Sequence, residues 1–276
     1  MLRENFVETL EKSIRSNWDI LSLADYQGAS WKYSDVGREM LRLQKIFNAA
    51  GIRPGDKVAM VGRNSANWAI AYLATITYDA VIVPILADFT PADVMNIISH
   101  SDSVALFVAD NIHENLDRLK MPNIRAVISL TNLMPLAGTG DDALRLKMEE
   151  ASEAFRAGMA KLGASDFSLK SAPNDHRAVI SYTSGTTGFS KGVMLNHNSL
   201  MANVRFAQEN MPLQPGDRIV SFLPLAHAYG VAFEFLFPFS IGCHVTFLTK
   251  NAFANHSVAG ICGDQAATCA VSPTHY

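Results

Sequence analysis

Residues 81–108 decide the fold class, because a strand, a helix and a second strand follow one another within them. The first strand is Val81-Ile-Val-Pro-Ile-Leu86, a short apolar run typical of strands buried on both faces. Thr90-Pro91-Ala-Asp93 then supplies an N-cap, a proline at the first helical position and an acidic residue in the first turn, and the helix runs to about His100. Val104–Val108 is the second strand. This order predicts parallel strands in an α/β sheet.

The same alternation of strands and helices extends to both sides of this stretch. The further elements predicted in the first part of the chain are a short strand at Ser30–Tyr33, helices at Val36–Ala50 and from Asn64 or Ser65 to Ile76, strands at Lys57–Val61 and Arg125–Leu130, a helix at Ile112–Leu119 and a charged amphipathic helix over residues 141–162. Successive βα units of this kind predict a largely parallel sheet.

A polar stretch of small residues, Gly163–Asp175, suits a connection between two α/β subdomains, which we place at residues 1–170 and 171–276. A second sheet is expected after it, with strands at Ala178–Thr183, Gly192–Leu195, Arg218–Leu223 and His244–Leu248 and a helix from Asn198 to about Glu209.

Residues 251–267 have weak periodicity and receive no assignment. The turn Pro215–Ile219 repeats the pattern of Pro54–Val58, and recurring turn chemistry explains so short a match better than duplication.

Composition excludes two broad classes of protein. Hydrophobic residues make up 49% of the 276 residues and charged ones 18%, which is enough apolar surface to form a core and argues against disorder. The net charge is −3, from 23 Lys and Arg against 26 Asp and Glu. A nucleic-acid partner is not expected, because a phosphodiester backbone calls for a basic excess.

Cysteine and histidine usage indicates a reducing compartment and gives no sign of a disulfide framework, a zinc site or a histidine ligand pair. The three cysteines are Cys243, Cys262 and Cys269, and their spacing fits neither a disulfide framework nor a zinc site. No H-E-x-x-H pair occurs among the eight histidines. The N-terminus lacks the apolar segment of a signal peptide, and no run reaches the roughly 18 apolar residues of a membrane span. We therefore expect a cytoplasmic protein without a transmembrane segment, leaving peripheral membrane contact and the oligomeric state open.

The segment Ser181-Tyr-Thr-Ser-Gly-Thr-Thr-Gly-Phe-Ser-Lys-Gly192 carries the clearest chemistry. It places three glycines, six serine and threonine side chains and Lys191 between two strand-like runs. Glycines let backbone N–H groups turn toward an anion, hydroxyls donate further hydrogen bonds, and the lysine adds a flexible cation. The segment is neither a Walker loop nor a G-x-G-x-x-G dinucleotide loop. It predicts a polyphosphate cradle, and the alternative is a mobile surface loop of small residues.

Tyr182-Thr-Ser-Gly-Thr-Thr-Gly-Phe-Ser-Lys-Gly-Val193 resembles the signature loop of the adenylate-forming enzymes, which include acyl-CoA synthetases, luciferases and peptide-synthetase adenylation domains. Ser190 stands where this family usually has proline, and Asn196 where a hydroxyl residue is commoner. The resemblance implies the fold of the large N-terminal domain of an acyl-CoA synthetase, with two βα-layered subdomains and mostly parallel sheets. The phosphate-binding residues that it implies are Thr183, Ser184, Gly185, Thr186, Thr187, Gly188 and Lys191, with Thr183 or Ser184 also holding Mg²⁺.

A second segment, Phe222-Leu-Pro-Leu-Ala-His227-Ala-Tyr-Gly230, resembles the lining of the acyl pocket in this family and is most similar to long-chain fatty-acid CoA ligases. The resemblance implies that His227 lies beside the substrate carboxylate and that Tyr229 and Gly230 form the pocket wall. Taken alone, His227 would equally be a core histidine. Four phenylalanines that follow, Phe233, Phe235, Phe237 and Phe239, fit core packing better than an acyl tunnel. Their spacing fits a strand or a helix, and we favour the helix.

The family's later features, which hold adenine, ribose and magnesium and supply the catalytic lysine, do not occur in this sequence. We therefore expect an N-terminal piece without activity by itself, and we assign no catalytic residue. The resemblance implies that the parent enzyme joins a fatty acid to ATP as an acyl-adenylate and transfers the acyl group to coenzyme A. The alternatives are a relative that uses an aryl, amino or short-chain acid, and a non-catalytic module that binds phosphate or acyl groups.

Overall fold

The structure is a computed structural model that describes residues 2–136, 141–183 and 191–248. The strands within these ranges are β1 Leu21–Asp25, β2 Ser30–Lys32, β3 Lys57–Val61, β4 Val81–Ile85, β5 Ser103–Val108, β6 Ala126–Ser129, β7 Arg177–Thr183, β8 Lys191–Asn196, β9 Arg218–Ser221 and β10 His244–Phe247. The helices are α1 Phe6–Ser16, α2 Tyr33–Ala49, α3 Ala66–Thr77, α4 Pro91–His100, α5 Asp110–His113, α6 Asp142–Met159, α7 His197–Asn210 and α8 Phe237–Ile241, with a π-helix at Gly230–Leu236.

The strands form two sheets, and the predicted α/β class with mostly parallel strands is confirmed. One sheet has six strands in the order β6-β5-β3-β4-β7-β8, and only β8 runs antiparallel to its neighbour. The other has four strands in the order β2-β1-β10-β9, with β2 antiparallel. Parallel neighbours need crossover connections, which α3, α4 and the segments around them supply.

The prediction that the strands after residue 171 form a sheet of their own is wrong. The strands β7 and β8 extend the six-stranded sheet beside β4, while β9 and β10 join β1 in the four-stranded sheet. The physical reason is that a short apolar strand fits beside any parallel neighbour that buries it, so its composition does not select the partner. The boundary placed between residues 170 and 171 therefore does not separate the two sheets.

Helix α3 lies inside the main hydrophobic core. Eleven of its twelve residues are buried, and Asn67 is the exception. Trp68 stacks on Tyr72 at 5.3 Å between ring centroids, and Tyr72 meets Phe235 edge to face at 6.3 Å. A helix that is apolar on all sides is stable only when other elements cover every face. This core consequently joins the first part of the chain to the π-helix and α8.

A buried arginine fixes the amphipathic helix α6 to the rest of the fold. Arg42 of α2 is fully buried and pairs with Glu39 at 2.7 Å. Its guanidinium also donates to the Ser152 hydroxyl of α6 at 2.9 Å and to the Leu133 carbonyl at 3.1 Å. Several partners are needed because an unpaired buried charge is costly.

The helix predicted at Ile112–Leu119 is wrong in extent. The chain forms only the four-residue α5 and a 3₁₀ turn at Arg118–Lys120. The side chain of Asp117 accepts from the Leu119 N–H at 3.0 Å, which competes with a helical hydrogen bond, and Leu119 is 89% exposed. The helix therefore ends before Leu119, although Ile112 and Leu116 still pack against a hydrophobic cluster.

Candidate phosphate-loop and acid-binding site

The hairpin of β7 and β8 carries the predicted phosphate loop. Antiparallel pairing sets Thr183, the last residue of β7, directly opposite Lys191, the first residue of β8, and both are exposed. The loop that the pair flanks includes five of the predicted phosphate-binding residues, and these lie outside the described residues: Ser184, Gly185, Thr186, Thr187 and Gly188. The described stem therefore brings a hydroxyl and a cation to the two ends of a seven-residue connection.

A hydrogen bond holds this stem against α4. The Tyr182 hydroxyl lies 2.7 Å from Nδ1 of His100 at the end of α4, and the two rings meet edge to face. Burial, with a smaller contribution from Asp102, raises the pKa of Tyr182, so the phenol stays protonated at neutral pH. The residue next to Thr183 is thus tied to a second element.

The position of Gly192 requires the absence of a side chain. A Cβ there would lie 2.9 Å from Cγ2 of Ile180 and 3.3 Å from the ring of Tyr182, its partner across the hairpin. The glycine next to Lys191 therefore lets the two strands pair over large side chains.

The end of β8 and the start of α7 show how one departure from the family pattern is accommodated. Asn196 caps α7, because its side-chain oxygen accepts from the Ser199 N–H at 2.8 Å, and asparagine caps a helix as well as serine does. His197 is fully buried and lies 5.9 Å from the ring of Phe6. Neither ring nitrogen has a hydrogen-bond partner among the described residues. Burial lowers the pKa of His197 to about 4, so the ring is neutral near pH 7.

The segment around His227 reaches the surface, so the alternative reading of His227 as a core histidine is wrong. The His227 side chain is exposed, and its Nδ1 accepts from the Tyr229 N–H at 3.4 Å. Tyr229 is 39% exposed and contacts Phe233 at 4.8 Å between ring centroids. Gly230 is buried, and a Cβ there would lie 2.6 Å from the carbonyl oxygen of Pro224. The chain thus folds back on itself at Gly230.

Two polar side chains hold the start of this segment. One carboxylate oxygen of Glu234, in the π-helix, accepts from the N–H groups of Phe222 and Leu223, both at 2.9 Å, and from the Ser221 hydroxyl at 3.1 Å. Burial raises the pKa of Glu234, although these hydrogen bonds oppose the shift. The Asn64 amide donates to the Leu223 carbonyl at 2.7 Å. The same amide accepts from the N–H of Leu225 at 2.9 Å.

Sequence reasoning missed both of these residues. For Glu234 a signal was present, since a carboxylate within the apolar run 231–239 is either exposed or held by donors. For Asn64 no local signal exists, because its partners lie about 160 positions away.

Two cavities lie against the His227 segment. A narrow one of about 20 Å³ is enclosed by the hairpin, α7 and the π-helix, and its lining includes Ser181, Leu195, Leu200, Ala226, Ala228 and Val231. A wider crevice of about 320 Å³ lies at the carboxyl ends of β3, β4, β9 and β10, where open α/β sheets commonly bind ligands. Its polar lining includes Asn64 and the ion pair of Arg63 with Asp88 at 3.3 Å.

The phenylalanine run is helical, and core packing is confirmed for three of its members. Phe235, Phe237 and Phe239 are fully buried in the main core, while Phe233 is half-buried beside Tyr229. They therefore do not form a row along a tunnel. A larger cleft of about 500 Å³ between α1 and α7 contains none of the predicted site residues.

The described residues offer neither a metal-binding cluster nor a helix that could span a membrane. No group of three or more His, Cys, Asp and Glu side chains there could hold a metal ion. Among the helices of residues 2–136, 141–183 and 191–248, none combines the length and hydrophobicity that a bilayer span requires. Cys243 is buried and free, whereas Cys262 and Cys269 lie outside the described residues.

Comparison with known proteins identifies the family. The pattern of a family described as AMP-binding enzyme matches residues 10–276, nearly the whole chain. This chain belongs to the AMP-binding enzyme family. Its phosphate-loop hairpin and His227 segment both lie inside the matched range, and the resemblance inferred from the two motifs is confirmed at the level of the family.

Fatty-acid ligases are among the relatives of this AMP-binding chain. A peroxisomal long-chain acyl-CoA synthetase of Arabidopsis thaliana is 31% identical over 217 residues, which are 78% of this chain and 30% of that protein. A medium-chain fatty-acid–CoA ligase of Escherichia coli K12 is 26% identical over 271 residues, which are 96% of this chain and 45% of that protein. The chain therefore spans less than half the length of these curated relatives.

Solved structures share the fold of this AMP-binding chain. The fatty acyl-adenylate ligase of L. pneumophila, solved with acyl adenylate and pyrophosphate, superposes with a TM-score of 0.74 at 18% identity. The superposition covers 96% of this chain and 43% of that one. The two-sheet architecture is thus that of adenylate-forming enzymes.

Proposed function

We propose that this chain is the N-terminal, phosphate-binding part of an ATP-dependent ligase that activates a long-chain fatty acid and transfers it to coenzyme A. The observation that carries the proposal is the register of the hairpin, which sets Thr183 opposite Lys191 across a loop rich in glycine and hydroxyl groups. Anions bind where backbone N–H groups, hydroxyls and a cation converge. The matched family and the fatty-acid ligases among its members support this assignment.

The proposed reaction has two steps. A carboxylate oxygen of the acid attacks the α-phosphorus of ATP, and the bond from that phosphorus to the bridging oxygen breaks, so pyrophosphate leaves. The thiol of coenzyme A then attacks the acyl carbon, AMP leaves with the carboxylate oxygen, and the thiol proton is released. Lys191 and the loop donors act on the first step, because negative charge grows on the departing pyrophosphate.

Magnesium fits this scheme as a companion of the nucleotide. The described residues supply no cluster of acidic and imidazole ligands, so phosphate oxygens would be the main ligands and the Thr183 hydroxyl would add one. When bound, the ion neutralises charge on the phosphates. The chain's own contribution is to keep Thr183 and Lys191 opposed at the loop ends.

For the acid, we propose that His227 lies beside the carboxylate, that Tyr229 and Gly230 form the pocket wall, and that Gly230 also fixes the turn there. The support is that His227 and Tyr229 are exposed, while Ala226 and Ala228, the chain neighbours of His227, line the two cavities. The preference for a long chain rests on the Leu223–His227 pattern and on the relatives, not on the phenylalanine run. A cytoplasmic location likewise stays a prediction, because relatives include proteins named as peroxisomal and chloroplastic.

Titration calorimetry with pyrophosphate tests the loop assignment in the chain as it stands. We expect weak binding that is lost in Lys191→Ala, because the cation is removed from the loop end. Lys161→Ala is the matched control, since Lys161 is an exposed lysine after α6. Equal binding by the wild type and Lys191→Ala would contradict the assignment.

We also propose that the 276-residue chain has no ligase turnover by itself. It spans 45% or less of the relatives compared above, so much of what those proteins use lies outside it. The assay is thioester formation from palmitate, ATP and coenzyme A. Product above a control without enzyme would overturn this proposal while leaving the loop assignment intact.

A further inference from the structure

The residues that begin at Phe222 separate the two cavities described above. We call residues 222–228 the partition segment. Phe222, Pro224 and Ala226 line the wide crevice of about 320 Å³, whereas Ala226 and Ala228 line the narrow cavity of about 20 Å³. Ala226 belongs to both linings, so the wall between the cavities is a single thickness of chain at that point. The position of this segment therefore sets the size of both spaces.

No regular sheet or helix hydrogen bonding holds the partition segment. Strand β9 ends at Ser221, and the helical turns begin only after His227. Strand β9 was predicted to reach Leu223, but the N–H groups of Phe222 and Leu223 turn away from the sheet and donate to Glu234. Buried backbone donors need such partners. Side chains thus replace the sheet along this stretch.

Within the described residues, the Glu234 side chain accepts hydrogen bonds from Ser221, Phe222 and Leu223 alone. It is 1% exposed, and its Oε2 receives all three donors while Oε1 has no hydrogen-bond partner among the described residues. Burying a carboxylate costs free energy, and an apolar residue of similar size would fill the same space without that cost. Packing alone therefore does not explain Glu234. The cost is offset by ordering the segment.

Asn64 holds the partition segment from the side of the wide crevice. It follows β3, is half-buried and lines the wide crevice. Its amide both donates to the Leu223 carbonyl and accepts from the Leu225 N–H, so it matches two backbone groups that no strand or helix satisfies. The backbone of residues 222–225 therefore bonds to Glu234 on one side and to Asn64 on the other.

We propose that Glu234 and Asn64 are positioning residues that together hold the partition segment and fix the orientation of His227. This inference deepens the proposed function, because it takes the His227 face as the acid-binding wall. The class of ligand affected is a fatty carboxylate. Neither residue is a catalytic residue, since each acts through the backbone of the segment.

Amide hydrogen exchange of the ligand-free chain directly tests whether Glu234 and Asn64 hold the partition segment. Glu234→Leu keeps the approximate volume but removes the acceptor, so we expect exchange at Phe222 and Leu223 to become roughly tenfold faster or more. Glu234→Gln keeps an acceptor oxygen and should restore slow exchange. Asn64→Ala should accelerate Leu225 in the same way. Exchange within β3 reports global stability, and the acceleration at Phe222, Leu223 and Leu225 should exceed any change within β3.

The nitrogen shifts of the His227 imidazole, read from the signals of the folded state, supply a second readout. In the wild type, Nδ1 accepts from Tyr229, which selects the tautomer protonated at Nε2. We expect the same tautomer in Glu234→Gln and a mixture of tautomers in Glu234→Leu. If Glu234→Leu does not fold, Asn64→Ala decides the matter by the same two measurements, with faster exchange at Leu225 and a mixture of His227 tautomers expected.

Unchanged exchange at Phe222, Leu223 and Leu225 and an unchanged His227 tautomer in the Leu and Ala variants would overturn the inference. Both readouts are taken without ligand, so they stand even if pyrophosphate binding fails. Conversely, pyrophosphate binding that depends on Lys191, together with an unaffected partition segment, would reject this inference and leave the proposed function in place.

Discussion

Protonation of His197 should make the fold markedly less stable below pH 6.5. The unfolded chain takes up a proton on this ring near pH 6.5, whereas burial lowers the pKa in the folded protein to about 4. The unfolded state therefore binds more protons between these values, and stability is lost as the pH falls through this window. From the two pKa values, the His197 contribution decreases by about 2 kcal/mol between pH 7.5 and pH 5.

The surroundings of His197 explain why the ring resists protonation. Both ring nitrogens are buried without a partner among the described residues, so an imidazolium would carry two unsatisfied N–H groups. The nearby Asp79 favours the charged ring and His176 opposes it, but both effects are smaller than that of burial.

The experiment compares urea unfolding of the wild type and His197→Leu at several pH values. Burial also lowers the pKa of His244. His244 and the carboxylates contribute equally to the pH dependence of stability in both proteins, so the difference between the two slopes of stability against pH isolates His197. We expect His197→Leu to lose about 2 kcal/mol less than the wild type between pH 7.5 and pH 5. The reasoning is refuted if His197→Leu retains the wild-type slope.

Three further substitutions probe other contacts. Gly230→Ala places a Cβ 2.6 Å from a backbone oxygen and should lower the free energy of unfolding, measured in urea, by about 1–3 kcal/mol. For the same reason, a bulky residue at this position should weaken the binding of short-chain and long-chain acids equally. Arg42→Ala leaves Glu39 without its buried partner and should cost about 3 kcal/mol, so an unchanged urea midpoint would contradict the packing argument. Tyr182→Phe removes the bond to His100 and should weaken pyrophosphate binding in calorimetry, whereas unchanged affinity would show that the stem needs no such anchor.

Local signals made the first part of the fold predictable. Ser65 and Thr90 cap α3 and α4 as expected, because each side chain accepts an N–H three residues ahead, a feature visible in sequence alone. The predicted turns before β3 and β9 share the same bond, in which Asp56 and Asp217 each accept an N–H three residues back. Such interactions involve neighbours in the chain, so they do not depend on the rest of the fold.

Partners distant in sequence were not predictable. Strand β7 has the same apolar character whether it pairs with β4 or begins another sheet, so its pairing with β4 could not be deduced. In the site, residue types predicted the loop segment and the family resemblance pointed to His227, but neither indicated the side chains that support them. Asn64 and His100 act on backbone or hydroxyl groups far along the chain, and only the folded structure brings those groups together.

The place of β1 in the four-stranded sheet has a consequence for synthesis on the ribosome. Leu23 of β1 lies beside Val245 of β10, so this early strand cannot complete its pairing until more than two hundred further residues have been added. At roughly 5–20 residues per second, β1 waits on the order of ten seconds or more with an open edge. During that interval a nascent chain is exposed to mispairing and to chaperones that bind extended segments. Synthesis therefore favours folding of the β3, β4 and β5 units first, with the sheet around β1 closing last.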